Sequence, residues 1–182
     1  MSSSSSATKE PAAVSALRAR WPDAIRDVSE NRGQFRVTMD REKIPEALRF
    51  LRDDAELKFD FLSDLSALDH YGTEPRFRVF YVLRSMKNRD EIVLKCAVPE
   101  EDCWVPTVSD LFATANWLER EVWDMFGISF KGHPDLRRIL MPEGFDDFPM
   151  RKDFPLQGKR TDQEWAEWVI ARAQRLEGQP GE

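Results

Sequence analysis

Two hydrophobic periods, which meet near residue 107, decide most of what this chain can fold into. Residues 76–84 alternate, with Phe77, Val79, Tyr81 and Leu83 on one side. That is the spacing of a strand that buries one face. Residues 91–98 follow across the turn-like Lys87-Asn88-Arg89-Asp90, so the two runs predict an antiparallel hairpin. From Thr107 onward the period lengthens. Ala115, Leu118, Val122 and Met125 recur at i, i+3, i+7 and i+10, one face of a helix. Gly127 stands where a left-handed cap would end it.

The other elements arrange themselves around these. Residues 12–21 place Val14, Leu17 and Trp21 at helical spacing before Pro22. Residues 25–29 and 34–39 read as strands joined through Asn31-Arg32-Gly33, a turn signal. Asp40 is placed to cap a helix carrying Ile44, Ala47, Leu48 and Leu51. Residues 59–68 form another apolar run, opening with Phe59 and Phe61. After Gly127, the glycines and prolines at Gly132, Pro134, Pro142, Gly144, Pro149 and Pro155 permit no long element. Residues 161–176 then read as a charged helix with Trp165, Trp168 and Val169 as its large apolar side chains. The class is α+β: a single domain with a mostly antiparallel or mixed β-sheet flanked by helices, plus an extended C-terminal arm. The expected boundaries are a disordered Ser-rich tail over residues 1–10, the α+β domain over 11–142, and an arm and helix docking on a partner over 143–182.

Composition removes several function classes. With 182 residues, the chain is long enough for one domain and a real core. Its net charge of −6 disfavours a nucleic-acid-binding role. No run approaches the roughly 18 apolar residues of a membrane span, so any membrane association is expected to be indirect. No apolar segment follows Met1 and its serines, and no signal peptide is expected. Cys96 and Cys103 are too few for an iron–sulfur cluster. Cys96 falls in an apolar strand and reads as a small core residue. No glycine-rich phosphate loop is present. Asp69, His70 and His133 lack the usual zinc spacing.

The chemistry-bearing residues concentrate in residues 117–142. Trp117, Glu121 and Asp124 share a helix side next to the apolar face and are expected at the edge of burial. Arg120 and Asp124 stand at i, i+4, a pairing that contributes about 0.2–0.5 kcal/mol when exposed. Arg137 and Arg138 follow a compact turn, and one of them is expected to fold back onto Glu121 or Asp124, because a guanidinium grips a carboxylate with two parallel bonds. A different reading makes Glu121, Asp124 and His133 an acid/base set, which requires a pocket. Residues 131–160 interleave arginines and lysines with Phe145, Phe148 and Phe154, and of these the aromatics and arginines are enriched in interface cores.

The segment resembles the signature of the respiratory complex I 30-kDa subunit family, known in bacterial NADH–quinone oxidoreductases as the C subunit. The residues that carry the resemblance are Glu119-Arg120-Glu121, Asp124, Met125 and Phe126, then His133, Arg137, Ile139 and Leu140, and downstream Asp153-Phe154-Pro155-Leu156. Trp117, Gly127 and Arg138 lie inside the same stretch. The resemblance implies a cofactor-free structural subunit in the peripheral arm of a proton-translocating enzyme, on the cytoplasmic side of the bacterial inner membrane. It implies that FMN, iron–sulfur clusters and quinone sit in partner subunits. The implied partners are the large subunit that forms the quinone cavity and the adjacent iron–sulfur subunits. The equivalent subunit of a membrane-bound hydrogenase, or of another complex I-like oxidoreductase, is the alternative. With no catalytic, cofactor or metal residue assigned, the signature positions are expected to serve an interface.

Overall fold

The structure is a computed structural model that describes residues 10–142, 144–158 and 162–177. The tail expected over residues 1–10 thus lies almost wholly outside the described residues. Helix α1 (Ala12–Arg20) is followed by strands β1 (Ile25–Asn31) and β2 (Gln34–Met39), a short 3-10 turn (Arg41–Lys43) and helix α2 (Ile44–Asp53). Strands β3 (Phe61–Asp69), β4 (Phe77–Ser85) and β5 (Asp90–Val98) come next. The short strand β6 (Trp104–Pro106), helix α3 (Ala115–Phe126), the short strand β7 (Ser129–Lys131) and helix α4 (Asp162–Glu177) complete the chain.

Five strands form one sheet in the order β1-β2-β5-β4-β3. The hairpins β1–β2 and β4–β5 and the pair β3–β4 are antiparallel, while β2 and β5 run parallel in the middle. The first hairpin turns through Arg32 and Gly33, both at positive φ, the conformation that matches strand twist in a two-residue turn. Strand alternation then divides the sheet. Phe77, Val79, Tyr81 and Leu83 of β4 are fully buried, as are Leu94, Cys96 and Val98 of β5. Val14 and Leu17 of α1 and Ile44, Ala47, Leu48 and Leu51 of α2 pack against the same core. Val122 and Phe126 of α3 join it.

Two local expectations change. Asp40 makes no side-chain cap to the turn that follows it. Its carboxylate is held instead by Arg26 Nε and Nη2, both at 2.8 Å. The helical period also begins later than Thr107. Residues 107–114 form turns, with Leu111 and Phe112 N–H groups donating to Val108 O. A second, two-stranded sheet pairs β6 with β7 in parallel. It brings the stretch before α3 beside the stretch after it.

Chain packing carries on past residue 142, where the expected domain ended. Met150 N–H donates to Met125 O at 3.1 Å, and Arg151 Nε donates to Phe126 O at 2.6 Å. Phe145 is buried. Residues 144–154 therefore pack as a strap across the end of α3. Gly127 explains how the strap gets so close. Its φ is +75°, and a Cβ there would lie 2.6 Å from the Phe148 ring and 2.8 Å from Arg151 Nη2. The cap glycine thus serves the helix end and the strap together. No described helix is long and apolar enough to cross a membrane.

Candidate functional site: the buried polar clip on helix α3

Helix α3 carries three polar side chains that have left solvent. Glu119 and Asp124 are fully buried, and Arg120 is 8% exposed. Isolated charges there would be costly, so each has fixed partners.

Asp124 closes around the loop that follows β7. Its Oδ2 accepts the backbone N–H groups of Ile139 (3.0 Å), Leu140 (2.8 Å) and Met141 (2.8 Å). Its Oδ1 accepts Arg138 Nη1 at 2.6 Å. Burial pushes this carboxyl up. The N–H groups of Met141 and Leu140, the Arg138 guanidinium and the Ile139 N–H outweigh it, and the group ends below its ordinary value. Arg120 does the complementary work. Its Nε donates to Arg137 O (3.0 Å) and its Nη2 to Arg138 O (3.1 Å). One helix side chain thus takes the loop's carbonyls and another takes its N–H groups, satisfying backbone that could not otherwise be buried. Arg138 continues the net to Asp124 O and Asp147 O, both at 3.2 Å.

Glu119 faces the other way along the helix. It accepts Thr107 Oγ1 and, at 2.7 Å, the Val108 N–H. It ties the turn before α3 to the helix itself. Burial lifts its carboxyl to about 7, against the pull of the Thr107 and Val108 hydrogen bonds.

The surface around this clip differs from the expected edge-of-burial stripe. Asp124 is inside, whereas Glu121 is exposed and Trp117 is 59% exposed. Arg120 does not pair with Asp124. It turns to the carbonyls and lies 5.0 Å from the Trp117 ring centroid. Of the two loop arginines, Arg138 folds back onto Asp124, and Arg137 stays outside on exposed Asp135 at 2.9 Å. His133 is held by its backbone contacts, Nδ1 accepting the Asp135 N–H (3.0 Å) and Nε2 meeting Asn116 O (3.1 Å). An acid/base set of Glu121, Asp124 and His133 therefore loses its parts: one is at the surface, one is caged, and one has both ring nitrogens engaged.

A second cluster secures the strap, and sequence reasoning found only its last members. Arg76 is 4% exposed at the side chain. It grips Asp69 with two bonds (3.0 and 2.9 Å), reaches Glu100 at 2.5 Å, and holds Asp153 through two more (2.7 and 3.2 Å). Lys152 N–H donates to Asp69 Oδ2 at 2.8 Å. Phe154 follows with its ring centroid 6.2 Å from that of Phe145. The hydrogen bonds to Asp69 and Asp153 raise the Arg76 guanidinium above its already high value. The available signal was pairing: Asp69 ends β3, opposite Phe77 on β4, so Arg76 had to arrive beside it.

Neither thiol is activated. Burial pushes Cys96 up to about 12 and Cys103 up to about 11, the behaviour of packing cysteines rather than nucleophiles. Among the described residues, no group of three or more His, Cys, Asp or Glu side chains could hold a metal ion.

Comparison with known proteins fits this geometry. The family described as respiratory-chain NADH dehydrogenase, 30 Kd subunit, matches residues 37–160. The NADH-quinone oxidoreductase C subunit of Roseiflexus sp. (strain RS-1) is 51% identical over 140 residues, covering 77% of this chain and 80% of that protein. The same subunit of Citrifermentans bemidjiense is 47% identical over 146 residues, covering 80% and 89%. The second C subunit of Rhizobium meliloti (strain 1021) is 46% identical over 150 residues, covering 82% of each. Among solved structures, a trypsin-resistant fragment (1-134) of Nqo5 superposes with a TM-score of 0.58 at 37% identity, covering 68% of this chain and 96% of the fragment. A chain in the membrane-bound sulfane sulfur reductase, an archaeal respiratory membrane complex, shares the fold, with a TM-score of 0.63 at 23% identity over 93% of this chain and 94% of that one. The match across residues 37–160 takes in the buried clip of α3, its loop and the strap, and the chain belongs to the 30-kDa subunit family of respiratory-chain NADH dehydrogenases.

Proposed function

We propose that this chain is the 30-kDa-type subunit of a respiratory NADH–quinone oxidoreductase and that it contributes structure rather than chemistry. The observation that carries the proposal is the use made of the signature. Glu119, Arg120, Asp124 and Arg138 spend their polar atoms on this chain's own backbone and on each other. A group that binds or transforms a substrate needs lone pairs or protons facing a cavity. These face a loop. Their product is a rigid outer surface, on which Trp117, Leu140 and Met150 stand 59%, 61% and 56% exposed. Large apolar groups beside ordered arginines are what a protein–protein interface selects.

In this reading FMN, the iron–sulfur clusters and quinone belong to other subunits. The chain docks on the large quinone-cavity subunit and on adjacent iron–sulfur subunits, at the cytoplasmic side of the bacterial inner membrane, and touches lipid only through them. The identities of 46–51% to NADH-quinone oxidoreductase relatives favour the NADH-dependent enzyme over a hydrogenase-type assembly. Purification of the tagged chain from its native membranes tests this. NADH-oxidising and quinone-reducing subunits should accompany it, and the chain stripped of them should lack visible absorbance and NADH oxidation. Recovery with a nickel–iron hydrogenase subunit, or a flavin or cluster spectrum in the stripped chain, contradicts the proposal.

A further inference from the structure

The helices cover one face of the five-stranded sheet; the other carries a built cationic centre. Register fixes its members, since residues directly opposite on neighbouring strands share a face. Arg36 lies opposite Val93 and Thr38 opposite Lys95. Val93 lies opposite Val82, Lys95 opposite Phe80, and Ala97 opposite Arg78. Val93 is buried at 4% exposure, Phe80, Val82, Arg36 and Lys95 are half-buried, and Arg78 is exposed. Three cations thus surround a small apolar floor of Val93, Val82 and Phe80. None of the ion pairs among the described residues includes Lys95, Arg36 or Arg78. Burial and then Arg36 and Arg78 hold the Lys95 ammonium below its ordinary value, with Asp27 opposing them. Such crowding costs stability in the free chain and is relieved by an incoming anion.

We infer that this sheet face is a second docking surface, and that its occupant is a protein segment presenting carboxylates to Arg36, Arg78 and Lys95 with an apolar side chain over Val93 and Val82. Charge complementarity selects the carboxylates. The surroundings select discrete ones over a continuous phosphate backbone: Asp27 and Asp64 flank the centre on β1 and β3, where they repel a polyanion running across the strands. The surface lies on the opposite side of the sheet from α3, so it faces a neighbour other than one seated on Trp117 and Leu140.

The inference rests on the chain being part of a larger complex, and the test separates the two. In membranes of cells expressing the wild-type chain, a zero-length carbodiimide cross-linker should join Lys95 to an Asp or Glu of an identified subunit of the same complex. The double variant R36E/R78E should enter the complex at least tenfold less, while the thermal midpoint of the free variant stays within a few degrees of wild type, because both side chains project from the open face. Where the variant does not fold, the wild-type cross-link decides alone. Entry of the variant at the wild-type level, or absence of any Lys95–carboxylate cross-link in an assembled complex, overturns the docking surface and leaves the assignment to the complex standing. Failure of the wild-type chain to enter any complex overturns that assignment instead. Salt-sensitive binding to phosphatidylglycerol vesicles without a carboxylate cross-link makes the occupant a lipid and overturns the inference.

Discussion

Asp124 receives four donors inside the protein, whereas Arg137 meets one exposed carboxylate. The two positions should therefore answer mutation very differently. Asp124→Ala leaves a buried guanidinium without its carboxylate and three N–H groups unpaired, a loss of about 3–5 kcal/mol by analogy with broken buried ion pairs. Arg137→Ala should cost under about 1 kcal/mol, the range of surface pairs. Urea unfolding of the isolated chain reads both, and equal losses would contradict the geometry. Glu119 adds a pH signature. Its folded-state carboxyl is raised to about 7 from 4.5, so the folded protein holds a proton that the unfolded chain releases. Its contribution makes stability fall as pH rises through that interval. Glu119→Gln should therefore gain stability relative to wild type between about pH 5 and about pH 8. A pH-independent difference would show the carboxyl to be ordinary. The sequence named Glu119, Arg120, Asp124 and Arg138 and allowed for an arginine on Asp124, but it did not name the backbone groups that Glu119, Arg120 and Asp124 hold. Spacing on a helix shows which side a residue takes, and only the returning loop shows that this side is closed.

Among the elements, the strap of residues 144–154 departs most from expectation. Its prolines and glycines were legible as irregular chain, while its destination was not. It docks through contacts made one at a time to Met125, Phe126, Asp69 and Arg76, and no period in the sequence records such contacts. The hairpins and α3 were legible for the opposite reason: their burial is periodic, and alternation in β4 and the i, i+3, i+7 pattern in α3 write it into the chain. The parallel pairing of β2 with β5 joins elements far apart in sequence, and local pattern carries no sign of it. Arg76→Met should free the strap by leaving Asp69, Glu100 and Asp153 without their shared cation. Trypsin should then cut after Arg151 and Lys152 many times faster than in wild type, as a mass-resolved digest would reveal. Unchanged cleavage would mean that Phe145, Phe148 and the bonds to Met125 and Phe126 hold the strap without Arg76.

For the whole molecule, one idea links the helix, the loop and the strap. The polar signature holds irregular backbone in a fixed shape, and in the proposed function that shape is what other subunits meet. Elsewhere in proteins the same residue types serve catalysis, so composition alone leaves both roles open. Geometry favours the structural role because it shows where the lone pairs go. The most direct measurement is NADH–quinone turnover per assembled complex in membranes carrying Asp124→Asn, which keeps the shape of the side chain and removes its charge. The account predicts less assembled complex, with wild-type turnover for each complex that does assemble. Full assembly with turnover reduced by an order of magnitude or more would place Asp124 in the chemistry and contradict it.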